Sequence, residues 1–229
     1  MAGPSSSAHR KPIGASARRS PARGQFDVCA IDYRLAPAHA PAPAACDDAI
    51  AAYQALLQRG YTPEQITLIG DSAGGNLVLV TAQKQAALKL PLPAALVCFS
   101  PVTDMTAEQL HAPAAGDPLL HPSWLDSARD AYCPAGMDRA DPMVSPLYGQ
   151  LKGLPPLLLQ VGEDEVLLND SLRLADAARA AGVNVRLERY AELWHVFQAH
   201  AGLLQASNDA LQRVVDFIDG AQADSVRAR

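Results

Sequence analysis

From Phe26 onward the chain alternates short, continuous apolar runs with longer stretches of helical periodicity. Five runs read as strands: Phe26 to Ile31, the run that starts at Ile66, Ala94 to Ser100, Leu157 to Gly162, and Asn184 to Tyr190. Between them, apolar residues recur at helical spacing. Ala49, Ile50, Tyr53, Leu56 and Leu57 predict a helix opened by Asp47-Asp48, where carboxylates suit the helix dipole, and stopped at Gly60. A second helix follows the Ile66 run and ends before Pro91. Ser123 to Tyr132, Asp170 to Ala181 (with Gly182 at its end) and Leu203 to Ile218 complete the set, the last with Leu204, Leu211, Val214, Val215 and Ile218 as its apolar stripe. Strands that are apolar throughout are buried on both faces. The pattern therefore predicts an α/β fold with a mainly parallel sheet flanked by helices.

Three stretches break the alternation. Residues 1–24 are rich in Ser, Ala, Pro and Arg and hold no acid. A transit peptide shares that composition, but a basic, partly ordered N-terminal segment is the plainer expectation. Leu35-Ala36-Pro37 with Pro41 and Pro43 predicts a rigid loop. Residues 103–151 are rich in Pro, Asp, His and Ala and read as a lid-like insertion. The expected division is thus an N-terminal segment over 1–24, one α/β domain over 25–220, and a flexible tail over 221–229.

Composition narrows the function. The chain has 229 residues, 49% hydrophobic and 19% charged, which is enough for one well-buried core. A net charge of -5 gives no reason to expect nucleic acid or an anionic membrane as partner. No apolar run is long enough to span a bilayer, and a cytoplasmic location is expected. Cys29, Cys46, Cys98 and Cys133 lack metal-ligand spacing. Cys29 and Cys98 sit in strand-like runs and are expected to be buried thiols. No cofactor or metal is expected.

The candidate chemistry lies at the end of the Ile66 run. There Gly70-Asp71-Ser72-Ala73-Gly74 fits G-x-S-x-G between a strand and a helix, with Gly75 next. A serine hydroxyl is a weak nucleophile and must be held exposed beside a base. A strained strand-to-helix turn does this, and the glycines admit neighbouring backbone. The new helix aims its free amides at the place where an oxyanion would form. The bland alternative is a Gly-rich turn with an N-cap serine. Partners are sought beyond the carboxyl ends of the other strands. Glu163-Asp164-Glu165 follow the Leu157 strand, and Glu192-Leu193-Trp194-His195 follow the Asn184 strand. The order Ser, acid, His suits a hydrolase triad. The spacing leaves all three acids open, each also readable as a solvated loop charge. His195 is the candidate base, with His200 as runner-up.

Together these motifs resemble the hormone-sensitive-lipase-like group of α/β-hydrolases, in its bacterial esterase/lipase branch. The matching residues are Asp32-Tyr33-Arg34-Leu35-Ala36-Pro37, Gly70-Asp71-Ser72-Ala73-Gly74-Gly75-Asn76, Ser100-Pro101 with Thr103-Asp104, Ser145-Pro146-Leu147, Gly162-Glu163-Asp164 and His195-Val196-Phe197. The resemblance implies an α/β-hydrolase fold, no cofactor, and hydrolysis of small carboxylic esters with short acyl chains. It places the nucleophile on Ser72, the acid on Asp164, the base on His195 and an oxyanion amide on Ala73.

One departure stands out. The family carries a His-Gly-Gly-Gly loop upstream of the Asp-Tyr-Arg segment, and its amides supply the rest of the oxyanion hole. Before Asp32 this chain has only Gly3, Gly14 and Gly24, all isolated. Losing an oxyanion donor costs on the order of 10²–10³ in rate. The family strand that enters that loop lies between the Asp-Tyr-Arg strand and the nucleophile strand, so its absence leaves sheet edges to be satisfied. Either the Phe26 strand pairs directly with the Ile66 strand, a second copy fills the gap as a homodimer, or the sequence is part of a longer gene product. The last is the expectation. The functional expectation is a serine carboxylester hydrolase acting through an acyl-enzyme. The alternative is a weak or inactive remnant that keeps the fold as a binding module.

Overall fold

The computed structural model describes residues 26–39, 41–133 and 135–227; the expectations for residues 1–24 lie outside them. Among the described residues, four parallel strands form one sheet in chain order: β1 (Thr67–Asp71), β2 (Ala95–Phe99), β3 (Leu157–Gly162) and β4 (Val185–Tyr190). Five helices join them: α1 (Pro41–Gln58), α2 (Ala73–Ala87), α3 (Pro122–Tyr132), α4 (Leu168–Ala180) and α5 (Gln205–Arg227).

Side chains alternate across the sheet, as strand geometry requires. Leu96 and Cys98 of β2 and Leu157 and Leu159 of β3 pack with Val78, Leu79 and Ala82 of α2 and Leu174 and Ala178 of α4. Their neighbours Val97 and Leu158 face the other way, onto Val214 and Ile218 of α5. Both faces are covered, which is why β2 and β3 carry apolar residues or glycine at every position but Gln160. Helix α2 is itself sandwiched, with Leu77 and Val80 packing on Ala45, Cys46 and Ile50 of α1.

Several expectations change. Phe26 to Ile31 is not a strand. Apolar side chains mark a segment as fit for a sheet, but a strand exists only when another strand bonds it, and β1 pairs with β2 alone among the described residues. Direct pairing of this segment with the nucleophile strand therefore does not occur. Instead the segment runs past the unpaired edge of β1. A cavity of about 370 Å³ remains there, lined by Val28, Ile31, Tyr53, Leu68, Ile69 and Leu77 among others. Val28 and Ile69 are left half exposed, and Cys29, expected to be buried, is exposed. Cys46, Cys98 and Cys133 are buried, and all four cysteines are free.

Helix α1 starts at Pro41, not at Asp47. Its prolines sit in the first turn, where the missing N–H has no partner to lose. The Asp47-Asp48 pair thereby falls within the helix. Asp48 clamps Arg34, accepting from Nε and Nη2 at 2.9 Å each and from the Arg34 amide at 3.0 Å. Asp47 pairs with Lys84 of α2 at 2.6 Å. Helix α5 continues to Arg227, through most of the expected tail, and buries Ala221. Residues 103–151 hold α3, a short 3-10 turn and loops, and Met105, Leu125, Cys133 and Val144 of this stretch pack with Val102, Val166 and Leu167 in a small core.

The two-sided sheet predicts unequal costs for leucine truncation. Leu158→Ala, at a fully buried position on β3, should lower unfolding free energy in urea by about 2–5 kcal/mol. Leu203→Ala, at a 90% exposed position, should change it by about 0.5 kcal/mol or less.

Candidate active site

Ser72 stands between the last residue of β1 and the first of α2 with φ 50° and ψ -114°. A non-glycine residue held there costs on the order of 1–3 kcal/mol. Hydrogen bonds on both sides of the peptide hold it: its N–H donates to the Phe99 carbonyl at 2.8 Å, and its carbonyl accepts from Val102 at 3.2 Å and Asn76 at 3.1 Å. The turn is so tight that a Cβ at Gly70 would lie 2.3 Å from Gly74 backbone, and one at Gly75 would lie 2.7 Å from the Pro101 ring. Gly70 and Gly75 are thus required by space. Gly74 is not: its nearest neighbour would be the Asp71 carboxylate at 3.8 Å.

The structure brings His195, the candidate base, to Ser72. His195 is nearly buried, and its Nε2 lies 3.0 Å from Ser72 Oγ. Its loop follows β4 and is bound to the turn after β3. The Glu163 amide donates to the Tyr190 carbonyl and the Asp164 amide to the Leu193 carbonyl, both at 2.9 Å. Gly162 permits that approach, because a Cβ there would lie 2.2 Å from the Leu193 carbonyl oxygen. His200, the alternative base, lies in a 3-10 turn over Phe197–His200 that precedes α5. Its Nδ1 faces the Phe197 carbonyl and its ring stands edge-on to Trp194.

The carboxylate beside the imidazole is not that of Asp164, the residue the resemblance implied. The structure brings Glu165, not Asp164, to the imidazole. Glu165 is fully buried and its Oε1 lies 3.5 Å from His195 Nδ1. Its Oε2 accepts from Ser100 Oγ at 2.7 Å and from the Gly162 amide at 2.9 Å. Glu163 pairs with Arg189 at 2.8 Å at the surface. Asp164 is half-buried and contributes its backbone amide to the loop contact. The reason is local. The turn after Gly162 is bonded backward to the β4 loop through residues 163 and 164, so the chain turns inward only at 165. Burial at Glu165 is stabilised by donors that no run of acids in a sequence reveals.

A profile of the α/β-hydrolase fold matches residues 5–199. The chain belongs to the α/β-hydrolase family. It is similar to an acetyl-hydrolase of Streptomyces hygroscopicus, 39% identical over 202 residues that cover 87% of this chain and 67% of the relative. An esterase of Acinetobacter venetianus is 36% identical over 204 residues, 88% of this chain and 67% of the relative. Among solved structures, an esterase from the bacterial hormone-sensitive lipase family superposes with a TM-score of 0.77 at 40% identity, covering 84% of this chain and 65% of its own. A hormone-sensitive lipase from a metagenome library does so with a TM-score of 0.79 at 40% identity, 83% and 66% covered. The chain spans about two thirds of the length of these α/β-hydrolases.

Around the hydrolase turn, two further contacts fix its surroundings. Asn76 Nδ2 donates to the Val102 carbonyl at 2.9 Å and the Val144 carbonyl at 2.8 Å, bonding α2 to both ends of the 103–151 stretch. Asp170 of α4 accepts from the Thr103 amide at 2.7 Å and the Asp104 amide at 3.0 Å. Burial pushes the Asp170 carboxyl up to about 6, outweighing those two donors. Burial opposes ionisation of Asp104 as well, but bonds from Thr106, Arg173 and Tyr148 hold it below the usual carboxylate range. Among the described residues no cluster of His, Cys, Asp or Glu could hold a metal ion, and no helix is long and apolar enough to cross a membrane.

Because the folded protein holds the Asp170 proton more tightly than the unfolded chain does, this group stabilises the fold most at low pH. That contribution is lost as pH rises from about 4 to about 6. Asp170→Asn keeps an acceptor for both amides without the charge. Relative to wild type, it should gain on the order of 2–3 kcal/mol between pH 4 and pH 7 in urea unfolding. An unchanged difference between the two proteins across that range contradicts the assignment.

Proposed function

We propose that this chain carries the nucleophile, base and acid of a serine carboxylester hydrolase acting on small esters with short acyl groups. The observation that supports it is the 3.0 Å approach of His195 Nε2 to Ser72 Oγ, a distance at which the imidazole can take the hydroxyl proton. Ser72 Oγ attacks the ester carbonyl while His195 accepts its proton. The tetrahedral oxyanion is met by the Ala73 amide, which at the first position of α2 has no partner within its own helix. Collapse breaks the bond to the alcohol, which leaves with the proton from His195. Water, deprotonated by the same imidazole, then attacks the acyl-enzyme, releases the carboxylic acid and returns the proton to Ser72. The buried Glu165 carboxylate orients the ring and stabilises its charged form.

A second reading has its own observation. The chain has no His-Gly-Gly-Gly segment, and it spans only about two thirds of its relatives. On that reading the chain alone is a weak or inert hydrolase fold, short of the remaining oxyanion donors.

Hydrolysis of p-nitrophenyl acetate and butyrate separates the two. Activity should be present and should vanish in Ser72→Ala. Glu165→Gln should lower kcat by roughly 10³–10⁴, while Asp164→Asn should stay within about threefold of wild type. The reverse order of the two acids would assign the role to Asp164. Equal inertness of wild type and Ser72→Ala would favour the second reading.

A further inference from the structure

The mechanism leaves one buried hydroxyl unused. Ser100 follows the last residue of β2, is fully buried, and has φ 46°. That backbone suits glycine, which has no Cβ to strain. A serine there keeps both the strain and a polar atom in the interior. Two bonds compensate. Ser100 Oγ donates to Glu165 Oε2 at 2.7 Å, and the same oxygen accepts from the Val196 amide at 3.2 Å. The directions follow from chemistry: an amide can only donate, so the single hydroxyl proton goes to the carboxylate.

Val196 directly follows His195 and is itself left-handed, with φ 50°. One oxygen atom therefore connects the acid to the loop that carries the base. It also settles which carboxylate oxygen meets the imidazole. Oε2 is occupied by Ser100 Oγ and the Gly162 amide, so Oε1 is the one turned to His195 Nδ1. Residues on either side, Phe99 directly before Ser100 and Val102 two positions after it, reach Ser72 as well: Phe99 accepts from the Ser72 amide and Val102 donates to the Ser72 carbonyl.

Resting on the ester-hydrolase reading above, we propose that Ser100 is a positioning residue: its hydroxyl holds the Glu165 carboxylate and the His195 loop in register, so that the acid faces the imidazole while the imidazole faces Ser72. Ser100 does not touch the reacting atoms. Its removal should act on the chemical step and leave ester binding alone.

The test compares Ser100→Ala and Ser100→Gly with wild type on p-nitrophenyl acetate. Both lack the hydroxyl, but only glycine relieves the backbone. Each should lower kcat roughly 10–100-fold, the usual worth of a hydrogen bond to a charged group, with KM within about twofold. In a Glu165→Gln background, either change should add little, about threefold or less, because the group it acts through is already altered. Full activity in Ser100→Gly would overturn the proposal, since backbone conformation and not the hydroxyl would then matter. Losses that multiply with Glu165→Gln would overturn it too, by showing a general structural role. A readout without turnover covers failure of the hydrolase reading itself: the downfield Nδ1–H proton resonance of His195, assigned by its loss in His195→Ala. If wild type is inert on the ester, the hydrolase reading fails. Ser100 then stands on that resonance being present in wild type and lost in Ser100→Ala, and falls if the variant keeps it.

Discussion

The site depends on one close approach, the folding of Gly70 onto Gly74 backbone at the end of β1. No side chain fits between those segments, so the chain reverses within a few residues and projects Ser72 at an angle an L-residue avoids. The strain persists because the bonds that hold Ser72 come from three places: β2 through Phe99, the loop after β2 through Val102, and α2 through Asn76. Relaxing the turn would break several of these together. The rigidity of β2, buried on both faces, is thus transmitted to Ser72. The same strand end supplies Ser100 to Glu165. Placement of Ser72, Glu165 and His195 is therefore a property of the centre of the sheet, although two of them sit on loops.

The acid shows how a buried charge is chosen. Glu163, Asp164 and Glu165 are chemically near-equivalent, and any could pair with a histidine. What separates them is solvation. A carboxylate loses several kcal/mol of hydration when buried and remains charged only where donors replace water. Ser100 and Gly162 provide those donors at position 165, while position 163 finds an arginine at the surface. The resemblance to hormone-sensitive-lipase-like enzymes led to the neighbouring residue because it aligned a pattern, and a pattern does not record which way a turn points each side chain.

The unpaired edge of β1 carries the same lesson in the backbone. Phe26 to Ile31 has the composition of a buried strand, yet it lies beside the sheet without bonding to it. Its apolar residues line a cavity of about 370 Å³ against α1 and β1. Burial preference is local to a residue; sheet membership needs a partner at the right spacing and register.

Much of the protein was legible in the residues alone. The α/β class, four of the five strands, the parallel sheet, the turn at Ser72 and the pairing of Ser72 with His195 all follow from apolar runs, glycine spacing and chain order. The strands, the helices and the turn are determined by short-range preferences, which a sequence displays directly, while His195 was reached through the order of loops at the carboxyl ends of the strands. Tertiary structure alone decided that Glu165 faces the imidazole, that Asp47 and Asp48 lie inside a helix, that α5 runs to Arg227, and that Phe26 to Ile31 stays out of the sheet. Each of those outcomes depends on a partner distant in sequence: a hydroxyl on another strand end, an arginine or lysine on another element, a packing face, a neighbouring strand. A side chain's partner is fixed by three-dimensional distance and by the cost of leaving a polar group unmet, and neither quantity is written along the chain.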